Sequence, residues 1–182
     1  VSSGATRDRD VYLTLANQVG RAVQVLQQDG RYRGAMKLAW LNATLAIDNL
    51  EPVAFVEGDK DKFDLLHCEV NPKDVILNGP LVSVLLPAFN SEAWLPTALN
   101  SLVNQTWRNL EIIVIDDQST DKTFEVAKEF AAKHPRVKVL QNSLNAGPYV
   151  ARNLALSNSS GVFVTVHDAD DWSHPRKIER QV

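Results

Sequence analysis

The chain has 182 residues, 45% of them hydrophobic, with a formal net charge of −3 at neutral pH and one cysteine, Cys68. That length accommodates one domain of ordinary size plus an appendage, with enough apolar content for a core. The mild negative charge excludes a general nucleic-acid or anionic-membrane surface, which needs clustered Lys and Arg, so the expected partner is small. A single cysteine excludes an internal disulfide and a cysteine-rich zinc site, and Cys68 reads as a small buried hydrophobe in a reducing compartment. No apolar run approaches the roughly 18 residues that span a bilayer, and no targeting signal is visible. The expected location is cytoplasmic, extending at most to a peripheral place at the inner face of the membrane.

In chain order, two helices are predicted within residues 1–79, over Val11 to Gln28 and Arg33 to Asp48, joined at Asp29-Gly30-Arg31-Tyr32. Asn71-Pro72 and Asn78-Gly79-Pro80 punctuate the exit. Gly30 to Ala35 resembles the turn of a tetratricopeptide helix pair, but one unit does not make a solenoid, which needs about three copies. Residues 1–79 are therefore read as a helical extension that packs on the following domain or on a protein partner, with Met36 and Trp40 as packing residues.

From Leu81 onward the pattern changes. Val- and Ile-rich runs suited to buried strands occur at Leu81 to Leu86, Glu111 to Ile115, Val137 to Leu140 and Val162 to Val166. Helical patterns alternate with them. Ser91 to Gln105 carries Trp94, Leu95, Ala98, Leu99, Leu102 and Val103 on one face, which makes Trp94 a core residue. The next helix follows the cap residues Ser119 and Thr120, turns Val126, Ala127, Phe130 and Ala131 inward, and ends at His134-Pro135. A third begins at Pro148, after Gly147, and runs to about Ser157. Strict alternation predicts an α/β fold with a parallel sheet over residues 80–182, holding ligands beyond the carboxyl ends of its strands.

Three polar clusters fall at such ends: Pro87-Ala88-Phe89-Asn90, Asp116-Asp117-Gln118-Ser119 and His167-Asp168-Ala169-Asp170-Asp171. An extended backbone sends alternate side chains one way, so Asp168 and Asp170 can face one point while Ala169 and Asp171 face away. Two such carboxylates suit Mg2+ or Mn2+ carried in with a diphosphate, because these hard cations take one or two protein carboxylates and fill their remaining positions with phosphate oxygens and water. Neither G-x-G-x-x-G after the first strand nor G-x-x-x-x-G-K-[ST] occurs, which disfavours dinucleotide oxidoreductases and P-loop enzymes. Without a glycine-rich cradle, a cation has to supply the positive charge for phosphate binding.

Val82 to Asn90, Ser101 to Thr106, Glu111 to Asp121, Asn145-Ala146-Gly147 with Ala151-Arg152-Asn153, and Asp168 to Asp171 occur in one order. That order resembles the family-two glycosyltransferases of the GT-A fold over residues 81–182. The resemblance implies inverting transfer of a sugar from a nucleotide diphosphate, a UDP-sugar first of all, to an acceptor saccharide or lipid-linked acceptor. It implies that Phe89 stacks on the base, where Tyr is the more frequent residue, with backbone contacts from Pro87 and Ala88. Asp117 corresponds to the carboxylate that reads the base edge, Arg152 to a basic residue near the nucleotide, Asp168 to the ribose contact and Asp170 to the ligand of Mn2+ or Mg2+. Asp116 is expected to orient its loop, Asp121 to be a solvated turn residue, and His167 and His174 to have ordinary polar or capping roles.

In such enzymes the acceptor pocket and general base come later than the carboxylate cluster. Read as it stands, the chain is thus expected to be a donor-binding portion with no catalytic base and weak transfer at best. Two other readings compete. Asp116-Asp117 and Asp168 reproduce the acidic arrangement of a phosphoacceptor receiver module, but that leaves the first strand and Asn145 to Asn153 unexplained. An inactive scaffold is opposed by the presence of Asp117, Asp168 and Asp170.

Overall fold

The structure, a computed structural model, describes residues 32–55 and 66–182. The chain divides into two units, Val1–Glu69 and Val70–Val182, which are taken separately. The predicted helix over Val11 to Gln28 lies outside the described residues.

In the first unit, helix α1 (Tyr32–Ile47) is followed by two short strands, β1 (Val53–Phe55) and β2 (Leu66–Cys68), paired antiparallel with Val53 opposite Cys68. Residues 1–79 are therefore not purely helical. Asn42 ties the helix to the strand: its Nδ2 donates to the Val53 carbonyl and its Oδ1 accepts from the Val53 N–H, both at 2.8 Å. Val53 and Ala43 are buried, whereas Trp40 is 57% exposed. Cys68 is only half-buried, with Sγ 3.8 Å from the Glu51 carbonyl.

The second unit contains the alternating elements. They are β3 (Val82–Ala88), α2 (Leu95–Val103), β4 (Leu110–Asp116), α3 (Thr123–Lys133), β5 (Val137–Gln141), α4 (Pro148–Ser157), β6 (Phe163–Val166) and α5 (Lys177–Gln181). A 3-10 turn at Pro72–Asp74 precedes them. Residues 70–79, read from sequence as the end of the extension, fall in this unit. Ile76 bridges to Trp107, and the Trp107 indole donates to the Pro80 carbonyl at 3.2 Å. Gly79 lies against that indole so closely that a Cβ there would stand 2.2 Å from ring carbons.

The four long strands form one parallel sheet in the order β5-β4-β3-β6. The chain builds outward from β3 through α2 and α3, then crosses by α4 to the other side of β3. α2 and α3 cover one face, where Val84, Leu86, Ile112 and Val114 meet Leu95, Leu99, Leu102 and Ala127. α4 covers the other, where Leu85, Ile113 and Ile115 meet Ala151 and Ala155. β3 and β4 are buried along their whole lengths, as apolar runs between two helical layers should be. β6 is not. Among the described residues it is an edge strand, with Val164 45% and Val166 47% exposed, so its Val-rich run is less buried than expected. No described helix is long and apolar enough to cross a membrane.

Two helix starts differ from the sequence expectation for one reason. Residues 89–92 and 119–123 spend their side-chain bonds and their own N–H groups largely on each other, across about 30 positions of sequence. Asn90 N–H donates to Ser119 Oγ (2.9 Å), Thr120 N–H to Asn90 Oδ1 (2.8 Å), Ser91 N–H to Thr123 Oγ1 (2.7 Å), Glu92 N–H to Asp121 Oδ2 (3.1 Å) and Lys122 N–H to Glu92 Oε2 (2.9 Å). α2 thus begins at Leu95 and α3 at Thr123, whose N–H is taken by Asp121 Oδ1. Asp121 is a clamp, not a solvated turn residue. Burial alone would raise its carboxyl pKa, but the bonds from Thr123 and Glu92 hold it below its ordinary value.

Candidate functional site

The parallel register sets the shape of the carboxyl edge. Ala88 stands opposite Asp116, but the last residue of β6, Val166, stands only opposite Leu85. The early end of β6 leaves Pro87 and Ala88 bordering open space, and the residues after β6 fold over it. The result is a cleft of about 410 Å³ lined by Pro87 to Ser91, Trp94, Asp117, Asn145, Gly147, Pro148 and Asp168 to Asp170. All three polar clusters read from the sequence contribute to it.

Phe89 lines the cleft with 45% of its surface exposed, and Trp94 with 51%. Trp94 is a correction. At the amino end of α2 it precedes the first buried position, Leu95, so helical periodicity extended one residue too far placed it in the core. Asn90 and Gln118, at the exits of β3 and β4, adopt positive φ values of 48° and 61°. Such backbone is costly for non-glycine residues and persists only where surrounding bonds hold it. The bonds of Asn90 with Ser119 and Thr120 do so here, as does that from Gln118 Nε2 to the Asn142 carbonyl (3.1 Å).

Asp117 is 3% exposed. Its Oδ1 accepts from Asn142 Nδ2 and from the Ala146 N–H (3.1 Å), and its Oδ2 from the Gly147 N–H (2.7 Å). The carboxylate therefore holds the loop that leads into α4, and its negative charge sits favourably at that helix's amino end. Gly147 has φ of 88°, a conformation that favours glycine, and Pro148 starts the helix behind it. Burial would raise the Asp117 pKa; the bonds from Asn142, Ala146 and Gly147 outweigh it and keep the carboxyl below its ordinary value. Oδ2 takes one bond and keeps a lone pair. The neighbouring Asp116 is fully buried and does orient its loop, with Oδ2 accepting from the Ser119 N–H (3.2 Å) and Gln141 Nε2 (2.8 Å).

The carboxylates after β6 are not on extended backbone. The Asp171 N–H donates to the Asp168 carbonyl at 3.1 Å, closing a turn through Ala169 and Asp170. Ala169 is buried in the α2 face of the core while Asp168 and Asp170 are exposed at the cleft. Both carboxylates thus face the cleft, but the turn and the Ala169 anchor put them there, not strand pleat. Arg152, on α4, does not line the cleft; its Nη2 pairs with Asp168 Oδ1 at 2.5 Å. Its guanidinium lies 5.7 Å from the Tyr149 ring centroid, and its buried Nε has no partner. A buried donor without an acceptor is uncommon and marks a place where an oxygen can bind.

Asp170 accepts no hydrogen bond or ion pair among the described residues, and no cluster of three or more metal-type side chains occurs there. A single free carboxylate at a cleft mouth fits a hard divalent ion that brings its own phosphate oxygens. His167 is 2% exposed; its Nδ1–H donates to the Asp168 carbonyl at 2.8 Å, which leaves Nε2 as an unpartnered acceptor. Burial, reinforced by the Lys177 charge, lowers its pKa and keeps it neutral. The residues the sequence reading missed at the site are Trp94, Asn142 and Tyr149.

The family profile described as Glycosyl transferase family 2 matches residues 83–182, more than half of the chain. The chain belongs to this family. An uncharacterized glycosyltransferase of Haemophilus influenzae is 39% identical over 106 residues, covering 58% of this chain and 42% of that protein. The crystal structure of Staphylococcus aureus TarS 1-349 in complex with UDP-GlcNAc matches with a TM-score of 0.52 and 35% identity, over 55% of this chain and 29% of that one. The mannosyltransferase PcManGT of Pyrobaculum calidifontis, in complex with GDP-Man and Mn2+, matches with a TM-score of 0.52 over 93% of this chain and 41% of that one, at 20% identity. The chain spans less than half the length of these relatives. Family 2 membership and the parallel sheet place the second unit in the GT-A fold and displace the receiver-module reading.

Proposed function

We propose that the Val70–Val182 unit binds the nucleoside diphosphate sugar donor, a UDP-sugar, of an inverting glycosyl transfer to a saccharide or lipid-linked acceptor. The observation that carries this reading is the meeting of a half-exposed aromatic ring and three carboxylates in one cleft. Phe89 stacks on the base beside the backbone of Pro87 and Ala88. The free lone pair of Asp117 Oδ2 accepts from a base N–H, which a uracil ring offers. Asp168 accepts from the ribose hydroxyls, and Arg152 acts on the nucleotide side from behind it, through the ion pair that steadies Asp168. Asp170 holds Mn2+ or Mg2+ together with the diphosphate, and such an ion offsets the charge that gathers on the leaving diphosphate. TarS, a family relative, is seen with UDP-GlcNAc, which supports the choice of base. In this reading a protein partner, where there is one, docks on residues 1–79.

Calorimetry with UDP, GDP and ADP, each with and without Mn2+, tests the reading. UDP is expected to bind most tightly and to gain from Mn2+, with the gain lost in Asp170→Asn. No binding of any of the three nucleotides would sink the donor-site assignment.

A further inference from the structure

The segment after the carboxylate turn is docked by a set of buried polar residues at the carboxyl end of α2. Gln105 is fully buried. Its Nε2 donates to the His174 carbonyl (2.8 Å) and the Ser101 carbonyl (3.0 Å), and its Oε1 accepts from the Ile178 N–H (3.0 Å). Beside it, the Thr106 N–H donates to the Pro175 carbonyl (2.8 Å), and Thr106 Oγ1 bonds to Glu179 Oε2 (2.8 Å). Ser101 Oγ accepts from the Ser173 N–H at 3.1 Å. One amide side chain therefore satisfies backbone groups on both sides of Pro175, on a segment about 70 positions away in sequence.

The consequence falls on Asp168 and Asp170. The turn that carries them is pinned at Ala169 in the core and at the Arg152–Asp168 pair, and is held at its flanks by the His167 N–H bonded to the Leu85 carbonyl at 3.0 Å on one side and the Ser173-to-Ile178 segment on the other. Only Trp172 separates Asp171 from the docked segment. The base side of the cleft has separate supports, since Phe89 and Asp117 leave β3 and β4 and are held by the loops 89–92, 119–123 and 142–147. Loosening Gln105 thus moves the metal side of the cleft and leaves the base side in place. Mg2+ demands oxygens at about 2.0–2.1 Å in near-ideal geometry, so a carboxylate displaced by a fraction of an ångström loses much of its value.

Resting on the donor-site reading above, we propose that Gln105 is a positioning residue for the Asp168–Asp170 turn and, through it, for the metal-dependent part of nucleotide binding. Outer supports of metal ligands typically contribute about 10- to 100-fold to metal affinity. The test measures UDP affinity of the full chain by calorimetry, with Mn2+ and with EDTA, for the parent protein, Gln105→Met and Thr106→Val. Gln105→Met keeps the side-chain length and removes the amide; Thr106→Val removes one hydroxyl and keeps the backbone bond to Pro175. Gln105→Met is expected to weaken UDP binding about tenfold in Mn2+ and less than twofold in EDTA, with Thr106→Val showing the same selectivity at two- to threefold. Equal losses in both arms, as general loosening would give, overturn the proposal, and so does a full Mn2+ gain in both variants. If Gln105→Met does not fold, the Thr106→Val result decides by the same criterion. A parent protein that gains nothing from Mn2+ overturns the metal reading itself, which separates that failure from the failure of Gln105.

Discussion

Asp117→Asn is the sharpest perturbation of the site, because the substitution preserves shape and changes only charge and one acceptor. The carboxylate now accepts from Asn142 and Ala146 on Oδ1 and from Gly147 on Oδ2. An amide in its place can keep the first two bonds only by turning its NH2 toward the Gly147 N–H, leaving that buried donor facing another donor. A stranded buried donor costs about 1–3 kcal/mol, and each surviving bond falls from the charged class of about 1.5–3 to the neutral class of about 0.5–1.5 kcal/mol. Relief of the burial penalty on the charge works the other way, so the net loss is about 2–3 kcal/mol. For a unit of this size that lowers Tm by roughly 10 °C. Thermal unfolding followed by circular dichroism measures the loss, and UDP calorimetry on the same sample measures the binding consequence, which is a weakening of at least tenfold. A Tm within about 2 °C of the parent together with unchanged UDP affinity would refute the claim that this carboxylate both holds the 142–147 loop and faces the base.

Three further outcomes are expected. Phe89→Ala weakens UDP binding by roughly tenfold or more, since base–aromatic stacking is worth about 1–3 kcal/mol, while Phe89→Tyr retains binding; calorimetry in which both variants behave alike removes Phe89 from the base site. Trp94→Ala weakens UDP-sugar binding about two- to tenfold through loss of an aromatic wall worth about 0.5–1.5 kcal/mol, and leaves Tm nearly unchanged because the ring is half exposed; a large drop in Tm would return Trp94 to the core. Glu111, at the opposite edge of the sheet, is 6% exposed and accepts from Ser83 Oγ, the Ser160 N–H and Lys138 Nζ, each at 2.6 Å. Burial would raise its pKa, but the bonds from Lys138, Ser83 and Ser160 and the Lys138 charge hold it below the ordinary value of 4.5. A folded-state pKa below the unfolded one gives stability that is present above about pH 4.5 and drains away as pH falls through the folded value. Asp117 and Asp121 act in the same direction. His167, depressed below 6.5, adds an earlier decline below about that pH. Glu111→Gln is expected to lower Tm at pH 7 and to flatten the acid limb without altering UDP affinity, and an unchanged acid limb would contradict the assignment.

Much of the second unit was legible because its signals are local. Runs such as Glu111 to Ile115 announce a buried strand by themselves, and Gly147-Pro148 announces a helix start by backbone chemistry alone. The misplaced helix starts have a different cause: a distant partner competed for the same groups and won. Ser119 and Thr120 have the side chains of helix caps, yet Asn90 claims them from the neighbouring strand exit. The strands β1 and β2 have three residues each, too short for any alternation to show.

The same competition explains why the site is built as it is. Residues 89–92 and 119–123 give their local bonds to each other, which lets Asn90 and Gln118 hold left-handed backbone at two adjacent strand exits. Asp117 then ties the third exit, the loop before α4, to the second. Three of the four strand exits are thereby fixed relative to one another by bonds that span 24 to 32 positions of sequence. The fourth, after β6, has among the described residues no tie of that kind to the others beyond the Arg152–Asp168 pair from α4, and is placed instead through Ala169 in the core and Gln105 behind it. A cleft with a rigid base side and a separately suspended carboxylate side can hold a nucleotide before the metal side is in register, which is why the two binding arms should respond differently to substitutions at Asp117 and at Gln105.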